Sequence, residues 1–419
     1  MRHDTSFFER ITYTVTATSY VLPARAGQQD YREDSRIRRI SVCHIASGDA
    51  WAGAEAQIAT LARELARRPD VVLSAIVLNP GRLSDELKQA GIEVAVIAER
   101  KYSFLQVLAK ASQIIRESKP QILHSHRYKE NLIATLLGRG DPSLHLVRTQ
   151  HGRPEKLAGS EGIKQWLVHA VDRVTARYSA DQVVSVSSQL AAYLETHVGP
   201  EKISVIHNGI DLERVHSTLT QAEAKRKFRL SGPVVGFVGR LEQVKRLDLF
   251  IETARRLGGQ LPGVTFVIAG SGRKERSLRQ LVASCELQSR IILLGHCSES
   301  AELLRALDLL LITSDHEGLP MVVLEAMAAG TPVVARAVGG IPEIVTHEET
   351  GWLVEPDAGA ISDLCTRVLH DECLRERIAA RARTLVEARF SATVNADRML
   401  DLYRCLCRVN HVPATATSR

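Results

Sequence analysis

The chain has 419 residues, enough for two or three domains with sizeable apolar cores. Its 45% apolar and 24% charged content is that of an ordinary globular protein, which excludes a mainly disordered chain. The formal charge of +6 comes without a long basic block, and no zinc-ligand spacing or aromatic RNA-binding run accompanies it, so the sequence gives no sign of a nucleic-acid-binding module.

The first 36 residues are predicted to be a mobile extension or a misassigned start. Residues 11–22 have the apolar character of a signal-peptide core, but they contain four threonines and follow Glu9 and Arg10. We therefore expect ordered structure to begin near residue 37. No apolar run approaches the length of a membrane-spanning helix, which predicts a soluble or at most peripheral protein.

The seven cysteines include no Cys-x-x-Cys pair and no histidine at ligand spacing. Such a set is typical of free thiols in a reducing compartment, so we predict a cytoplasmic protein without a metal site. The modest basic charge suits nucleotide phosphates or the anionic inner face of a membrane, and a solvated basic surface is the alternative interpretation.

Strand-like and helix-like segments alternate from residue 40, as is typical of a parallel sheet with crossover helices. The strands predicted in the first half are residues 40–45, 71–78, 93–97, 121–124, 181–187 and 203–206, with one more that ends in the stretch 147–152. The helices predicted there are residues 56–67, 83–90, 105–117, 163–178 and 188–197. This half is therefore predicted to be a Rossmann-like domain.

One of these helices carries an apolar stripe at helical spacing, formed by Trp166, Leu167, Ala170, Val171 and Val174. A stripe of this kind could lie on a membrane, but it more often faces a protein core. We expect it to be buried.

Candidate functional residues of the first half follow strand ends. Gly53 lies between the first strand and a helix, where glycine allows close approach of the backbone to a ligand. His124 and His126 share one face of a strand, although strand-end histidines are usually only hydrogen-bonded to protein. His151 and Arg153 open an aperiodic stretch, residues 153–162, which could meet an acceptor.

A second sheet begins with a predicted strand at residues 233–238. Arg240 and Lys245 flank the turn after it and could together contact one diphosphate, the alternative being two exposed basic side chains. Gly270 and Ser271 follow the next strand in a small-residue loop, which alone is a weak phosphate signal. His296 follows the predicted strand at residues 291–295.

The stretch 306–345 reads as strand, loop, helix and strand. The strand is predicted at residues 308–313, and the helix runs from Pro320 to a stop at Gly330. The helix N-terminus would offer free N–H groups to a phosphate. Glu317 could face a sugar ring, and Glu325 could accept both hydroxyls of a ribose, although two arbitrary glutamates are usually solvated.

The segment from Glu317-Gly318-Leu319-Pro320 through Glu325 to Gly330-Thr331-Pro332 resembles the signature of the retaining GT-B glycosyltransferases of the glycogen-synthase-like group, family 4. Three other segments resemble that family: His-x-His at residues 124–126, Gly-Arg-Leu followed by Lys at 239–245, and Asn208-Gly209-x-Asp211. The departures are Ala52, His207 and Arg246, where the family usually has Gly, Pro and Gly.

The resemblance implies an α/β fold, GT-B, of two doubly wound Rossmann-like domains facing a central cleft. The acceptor-side domain would comprise residues 37–212 plus a crossover helix at 390–408, and the donor-binding domain residues 232–388. The catalytic set implied is His126, Glu317, Arg240 and Lys245. The donor-binding set implied is Gly53, Asn208, Gly270, Ser271, His296, Gly318, Leu319, Pro320, Met321 and Glu325, with His151 and Arg153 on the acceptor side.

The implied reaction is transfer of a sugar from a nucleotide diphosphate sugar to a hydroxyl of a carbohydrate or lipid-linked acceptor, with retained configuration. The acceptor would attack on the leaving group's side, and a phosphate oxygen would take its proton. No Asp-x-Asp occurs, so we predict that neither a metal nor another cofactor is required. The alternatives are a non-hydrolysing nucleotide-sugar 2-epimerase and a catalytically silent nucleotide-sugar-binding protein; a nicotinamide dehydrogenase is disfavoured because no complete Gly-x-Gly-x-x-Gly follows either first strand.

Overall fold

The structure is a computed structural model that describes residues 39–49, 51–153 and 159–409, without the side chains of residues 159–165 and 409. Its first sheet has seven parallel strands in the order β3-β2-β1-β4-β5-β6-β7. These strands are β1 Ile40–Ser47, β2 Val71–Leu78, β3 Glu93–Ile97, β4 Ile122–Ser125, β5 His145–Gln150, β6 Gln182–Ser185 and β7 Ile203–Val205. The helices of this half are α1 Gly53–Ala66, α2 Arg82–Gln89, α3 Phe104–Ser118, α4 Tyr128–Gly138, α5 Gly159–Tyr178, α6 Ser188–Glu195 and α7 Leu212–Val215.

The second sheet has six parallel strands in the order β10-β9-β8-β11-β12-β13. They are β8 Val234–Val238, β9 Thr265–Ala269, β10 Ile291–Gly295, β11 Leu309–Ile312, β12 Val333–Arg336 and β13 Trp352–Val354. The remaining helices are α8 Gln221–Lys227, α9 Leu247–Gln260, α10 Glu275–Ser284, α11 Ser300–Ala306, α12 Met321–Ala329, α13 Ile341–Ile344, α14 Ala358–His370, α15 Glu372–Arg389 and α16 Ala392–Val409. The predicted α/β class with two Rossmann-like domains is confirmed.

In each sheet there is one point at which the order of the strands along the chain reverses, and this point positions the site. In the first sheet the reversal lies between β1 and β4, where His44 is in register with His124. In the second sheet it lies between β8 and β11. Ligands of open α/β sheets bind outside the carboxyl ends of strands at such a switch point. The loops after β1, β4, β8 and β11 are therefore the walls of the expected site.

The last helix returns to the first domain. Side chains of α16, among them Met399, Leu400 and Tyr403, are buried in one core with Leu61 of α1 and Val42 of β1. Tyr403 is fully buried. The chain therefore begins and ends its described fold on the same sheet, with the second domain between.

Local boundaries differ from the predicted ones by a few residues. Pro320 precedes α12 as its N-cap instead of starting the helix, with φ −72° and ψ 118°. Helix α5 begins at Gly159, so part of the predicted acceptor loop is helical. The other part of that loop, residues 154–158, and the N-terminal 36 residues lie outside the described residues.

The prediction that the α5 stripe is buried was wrong. Trp166, Leu167, Val171 and Val174 are exposed, from 46% for Val171 to 65% for Trp166. The physical reason is that polar residues of the same helix occupy the protein-facing side, where Asp172 pairs with Arg148. Helical spacing alone does not tell which side of a helix meets the core.

Arg246 explains one departure from the family pattern. Its backbone is left-handed, with φ 49° and ψ 50°, a conformation that glycine adopts without strain. The guanidinium compensates by pairing with Asp248 at 3.0 Å and with Asp315 at 3.2 Å. The pair with Asp315 connects the Lys245 turn to the segment that follows β11.

Candidate active site

The centre of the candidate site is an ion pair between the loops after β8 and β11. Lys245 Nζ lies 2.7 Å and 2.9 Å from the two carboxylate oxygens of Glu317. The Ser314 hydroxyl donates to Glu317 Oε1 at 2.6 Å. Because the Lys245 and Glu317 side chains are only 17% and 9% exposed, this pair is less screened by water than a surface pair.

The Lys245 turn is fixed to the neighbouring strand end. The Thr313 hydroxyl donates to the carbonyl of Lys245 at 2.9 Å, and the Asp315 N–H donates to the carbonyl of Val244 at 2.8 Å. Arg240, at the end of β8, is exposed. The sequence predicted that Arg240 and Lys245 would act on one diphosphate; the structure places both on the loop that follows β8 and leads to α9.

Helix α12 brings Glu325 to the same region. Val322, Glu325 and Ala328 are its partly accessible positions, which form one stripe of an otherwise buried helix. No hydrogen-bond partner of Glu325 lies among the residues that the structure describes. Dense surrounding protein disfavours the charged form and raises the pKa of Glu325 to about 7. A carboxylate without a protein hydrogen-bond partner among the described residues is suited to accept ligand hydroxyls.

Close backbone approach shapes the loops after β8, β9 and β10. Gly270 has φ 143°, and a Cβ there would lie 1.8 Å from the carbonyl oxygen of Gly239. The Gly270 N–H donates to the carbonyl of Gly295 at 2.7 Å. Ser271 and His296, which follow these loops, are exposed, so both can be reached from solvent.

A cluster of histidines forms the first-domain wall. His126 Nε2 lies 2.9 Å from His44 Nδ1, and its Nδ1 lies 3.4 Å from His151 Nε2. Burial, assisted by the neighbouring histidines, holds the pKa of His126 well below its usual range. Burial lowers the pKa of His44 and of His151 to about 4. These rings are therefore neutral at pH 7 and offer hydrogen bonds instead of positive charge.

His124 supports this wall from behind. Its ring nitrogens lie 2.5 Å from the hydroxyl of Tyr403 on α16 and 2.7 Å from the hydroxyl of Thr149. The His124 and His126 rings stack with centroids 4.3 Å apart. The final helix thus fixes the orientation of the ring that packs against His126.

His44, His124 and His126 are also close enough together to be considered as metal ligands, with one nitrogen of each within 4.8 Å of the others. Two nitrogens on a tetrahedral zinc ion would be about 3.3 Å apart, with their lone pairs converging. The observed 2.9 Å contact between His44 and His126 is a hydrogen-bond distance, and both His124 nitrogens face protein hydroxyls. The geometry favours a hydrogen-bonded cluster over a metal centre.

Three contacts join the domains around this wall. Asn208 Nδ2 donates to the carbonyl of Leu319 at 2.9 Å. A Cβ at Gly53 would lie 3.7 Å from Met321 Cγ. A Cβ at Gly318 would lie 2.0 Å from the carbonyl oxygen of His151. The Glu317–Met321 segment of the second domain therefore touches the first domain at the predicted residues.

Replacing Gly318 with alanine is expected to disrupt the contact between Gly318 and the backbone of His151. The added methyl cannot fit 2.0 Å from a backbone oxygen, so one of the loops must move, at a cost of about 1–3 kcal/mol in the free energy of unfolding. Urea unfolding measures the loss. Gly152→Ala is the matched control, because nothing lies within 4 Å of the methyl that it adds. Equal stability of the two variants would contradict the contact.

A fourth contact between the domains was not predicted. The Glu343 carboxylate of α13 accepts the Ser188 N–H at 2.8 Å and the Gln189 N–H at 3.3 Å, both at the N-terminus of α6. His207 Nε2 lies 2.8 Å from the same carboxylate. Burial opposes the charge of Glu343, but these partners outweigh it and lower its pKa. We call Glu343 with these partners the Glu343 clasp.

The clasp gives His207, where the family has proline, a structural use in this chain. In the sequence, only the unusual histidine at position 207 pointed to this contact. Its partner Glu343 is 136 residues away and cannot be found from a local pattern. The other residue missed was His44, whose signal was a lone histidine in the apolar strand β1. Arg153 was predicted on the acceptor side, and the central carbon of its guanidinium lies 5.0 Å from the centroid of the Tyr193 ring.

Two Rossmann-like domains whose loops meet at the carboxyl ends of their strands define the GT-B class of fold. A crystal structure of Anabaena Alr3699/HepE in complex with UDP and glucose has a similar fold, with a TM-score of 0.77. The match has 21% sequence identity and covers 88% of this chain and 100% of that one. The profile "Glycosyltransferase Family 4" matches residues 51–214, and "Glycosyl transferases group 1" matches residues 220–385.

Curated relatives agree with these matches. The D-inositol 3-phosphate glycosyltransferase of Mycobacteroides abscessus is 31% identical over 332 residues, which cover 72% of this chain and 69% of the relative. The UDP-Gal:alpha-D-GlcNAc-diphosphoundecaprenol alpha-1,3-galactosyltransferase of Escherichia coli is 26% identical over 313 residues, which cover 71% and 79%. The chain belongs to the group 1 glycosyltransferases, family 4. It is a glycosyltransferase of the kind that uses a nucleotide sugar.

Proposed function

We propose that the protein transfers a sugar from a nucleotide diphosphate sugar to an acceptor hydroxyl with retention of configuration. The observation that carries the proposal is the Lys245–Glu317 pair, which joins the loop after β8 to the loop that leads into α12. Lys245, Arg240 and the N–H groups at the start of α12 would stabilise the negative charge that develops on the departing diphosphate. Glu317 would hold hydroxyls of the sugar.

The remaining predicted residues would bind the donor around this centre. Glu325 would accept the ribose hydroxyls, and Gly270, Ser271 and His296 would line the nucleotide. Gly53 and Asn208 would hold the Gly318-Leu319-Pro320-Met321 segment against the first domain, an arrangement supported by the hydrogen bond from Asn208 to Leu319. His126 would exchange its longer contact, 3.4 Å to His151, for one hydrogen bond at the sugar.

Retention is supported by the absence of a suitable base on the described first-domain wall. Both nitrogens of His126 have histidine partners, and its pKa lies well below its usual range, so it is a weak general base at pH 7. The Glu317 carboxylate is paired with Lys245 and accepts a hydrogen bond from Ser314, which makes it a weak nucleophile. The bond from the anomeric carbon to the phosphate oxygen would break with its electron pair, the acceptor oxygen would bond on the same face, and its proton would pass to the phosphate.

We infer that the diphosphate charge is met by protein cations without a bridging metal, and that the acceptor is a carbohydrate or a lipid-linked glycan used in polysaccharide or glycolipid synthesis. The Escherichia coli relative is named for an acceptor on diphosphoundecaprenol, which supports the lipid-linked alternative. His151 and Arg153 would face this acceptor. The protein would act in the cytoplasm, and contact with an anionic membrane would involve a different surface of the first domain.

The test is a panel of nucleotide sugars incubated with the pure protein and EDTA, scored by thermal stabilisation, release of nucleotide diphosphate and, for the product, the anomeric configuration by NMR. We expect one donor to stabilise the protein and to be turned over at a rate that EDTA does not change and that Glu317→Ala abolishes. The product should keep the anomeric configuration of the donor. An inverted product would overturn the mechanism. Binding without turnover with any acceptor would favour a silent nucleotide-sugar-binding protein, and no binding to any donor would refute both functions.

A further inference from the structure

Exposed apolar side chains are concentrated on one layer of the first domain. Of the large apolar residues that the structure shows as exposed, all except Val72 lie on α5 or at the start of α3. On α5 the most exposed are Tyr178 at 73% and Trp166 at 65%. We call Trp166, Leu167, Val171, Val174 and Tyr178 the α5 face.

This helix has its polar side inward and its apolar side outward. Asp172 pairs with Arg148 and accepts a hydrogen bond from Asn131 Nδ2 at 2.9 Å. Thr175 is buried on the same side and lies 3.4 Å from Arg148 through its hydroxyl. Rotating the helix to bury the α5 face would break these bonds and leave buried charges unpaired, which is costly. The exposure is therefore fixed by the polar contacts beneath the helix.

A basic edge accompanies the α5 face. Arg173 and Arg177 are exposed and lie one helical turn apart, on the side of the stripe that carries Trp166. Lys202 adds a third cation at the helix end by donating to the carbonyl of Arg177 at 3.0 Å. Asp172 is the one acidic residue from Trp166 to Tyr178, and its carboxylate pairs with Arg148 beneath the helix. From Trp166 to Tyr178 the outward side thus combines apolar and positive groups without negative ones.

The start of α3 carries exposed apolar groups on the same face of the sheet. Tyr102, Phe104 and Leu105 are exposed, Leu105 at 74%. Helices α3, α4 and α5 lead to β4, β5 and β6, which follow one another along the sheet, so right-handed crossovers place all three helices on one face. Both α3 and α5 begin at the carboxyl edge of the sheet, where His151 contacts the second domain. The first residues of both helices therefore lie on the side of the candidate site, and α5 extends from there to Tyr178 at the opposite edge of the sheet.

We propose that the α5 face docks the protein on an anionic membrane surface. Aliphatic side chains would enter the acyl boundary, Trp166 and Tyr178 would lie at headgroup level, and Arg173 and Arg177 would contact lipid phosphates. A symmetric contact with a second copy is disfavoured, because it would bring the arginines of each face close to those of the other. The membrane contact itself does not depend on the proposed function. Its use, which is to bring a lipid-borne acceptor hydroxyl to the cleft, rests on the proposed function.

The experiment is sedimentation of the full chain with phosphatidylcholine vesicles, with and without phosphatidylglycerol, at low and high salt. We expect binding to the anionic vesicles alone, weakened by salt. The variant Leu167→Ser/Val171→Ser/Val174→Ser should bind at least tenfold less, and Arg177→Glu should lose much of the binding. Matched controls are Val72→Ser, an exposed apolar residue on β2, and Lys88→Glu, an exposed cation on α2; both should bind like the unchanged protein.

Trp166 supplies a second readout. Trp352 is buried and Trp51 is partly covered beneath Arg82, so an emission shift to shorter wavelength on adding anionic vesicles should disappear in Trp166→Phe. The proposal is overturned if the unchanged protein ignores anionic vesicles, if it is a dimer that the triple variant makes monomeric, or if Trp166 emission is already that of a buried ring without lipid. Donor stabilisation, measured on the same samples, tests the proposed function separately.

Discussion

Lys245→Ala is expected to lower kcat/KM by about two to three orders of magnitude, the usual effect of removing one preorganised group that stabilises developing negative charge. The ammonium is held by both oxygens of Glu317, so it is already positioned before a donor binds. Charge placed in advance needs no reorganisation when the diphosphate departs. The measurement is the rate of nucleotide diphosphate release with the donor found by the panel.

The loss could also arise because the variant leaves the Glu317 carboxylate half-buried without its partner. The double variant Lys245→Ala/Glu317→Gln separates these causes, since it removes the unpaired charge, keeps an amide that can hold the sugar hydroxyls and does not restore the cation. We expect it to recover stability and to stay inactive. Recovery of activity along with stability would show that the pair only holds the loop.

The chain offers a matched control for Lys245. Lys225 Nζ lies 2.6 Å from Asp308 Oδ2, with side chains 20% and 11% exposed, in the same domain. Asp308 directly precedes β11, at the opposite end of the strand from Glu317. Lys225→Ala should therefore destabilise the domain to a similar degree and leave the rate per folded molecule unchanged. A similar rate loss in both variants would mean that the effect of Lys245 is structural.

Donor affinity is expected to fall about tenfold between pH 8 and pH 6 because of Glu325. Its pKa is about 7 without ligand, and ribose hydroxyls donate to the charged form. Binding therefore favours the deprotonated carboxylate, and affinity is lost as the pH falls through 7. Calorimetry with the intact nucleotide sugar measures this, because the terminal phosphate of a free diphosphate titrates in the same range.

Two variants of Glu325 complete this prediction. Glu325→Gln keeps the shape and one acceptor oxygen but cannot titrate, so its affinity should be lower at pH 8 and nearly constant down to pH 6. Glu325→Ala should lose about 10–100-fold in affinity, as when a hydrogen bond to a charged group is removed. A Gln variant with the same pH dependence as the unchanged protein would assign the titration to another group.

Much of the fold could be predicted from the sequence because strands and helices of a doubly wound sheet have strong local patterns. β3 and β10 begin and end where the apolar runs predicted, and the loops after β8 and β11 carry Lys245 and Glu317 at one switch point. What the pattern could not give was the direct bond between those two side chains. Both were predicted to face a donor, and only the folded chain shows that they also face each other.

The errors have a common physical origin in contacts between distant residues. The α5 stripe was predicted to be buried, but the setting of that helix is decided by Arg148 and Asn131, which belong to β5 and α4. The clasp depends on His207 meeting Glu343 from the other domain. Periodicity describes one segment at a time, whereas these arrangements depend on which polar partners the fold brings near.

The Glu343 clasp has a consequence for the timing of the catalytic cycle. Its bonds link the domains without any donor, so the protein does not depend on substrate alone to bring its two halves together. Separation of the domains to free a nucleotide bound between them would require the carboxylate to release a helix N-terminus and a histidine. Departure of the spent nucleotide is then expected to be slower than rupture of the bond between sugar and phosphate, so that a burst of product should precede steady turnover.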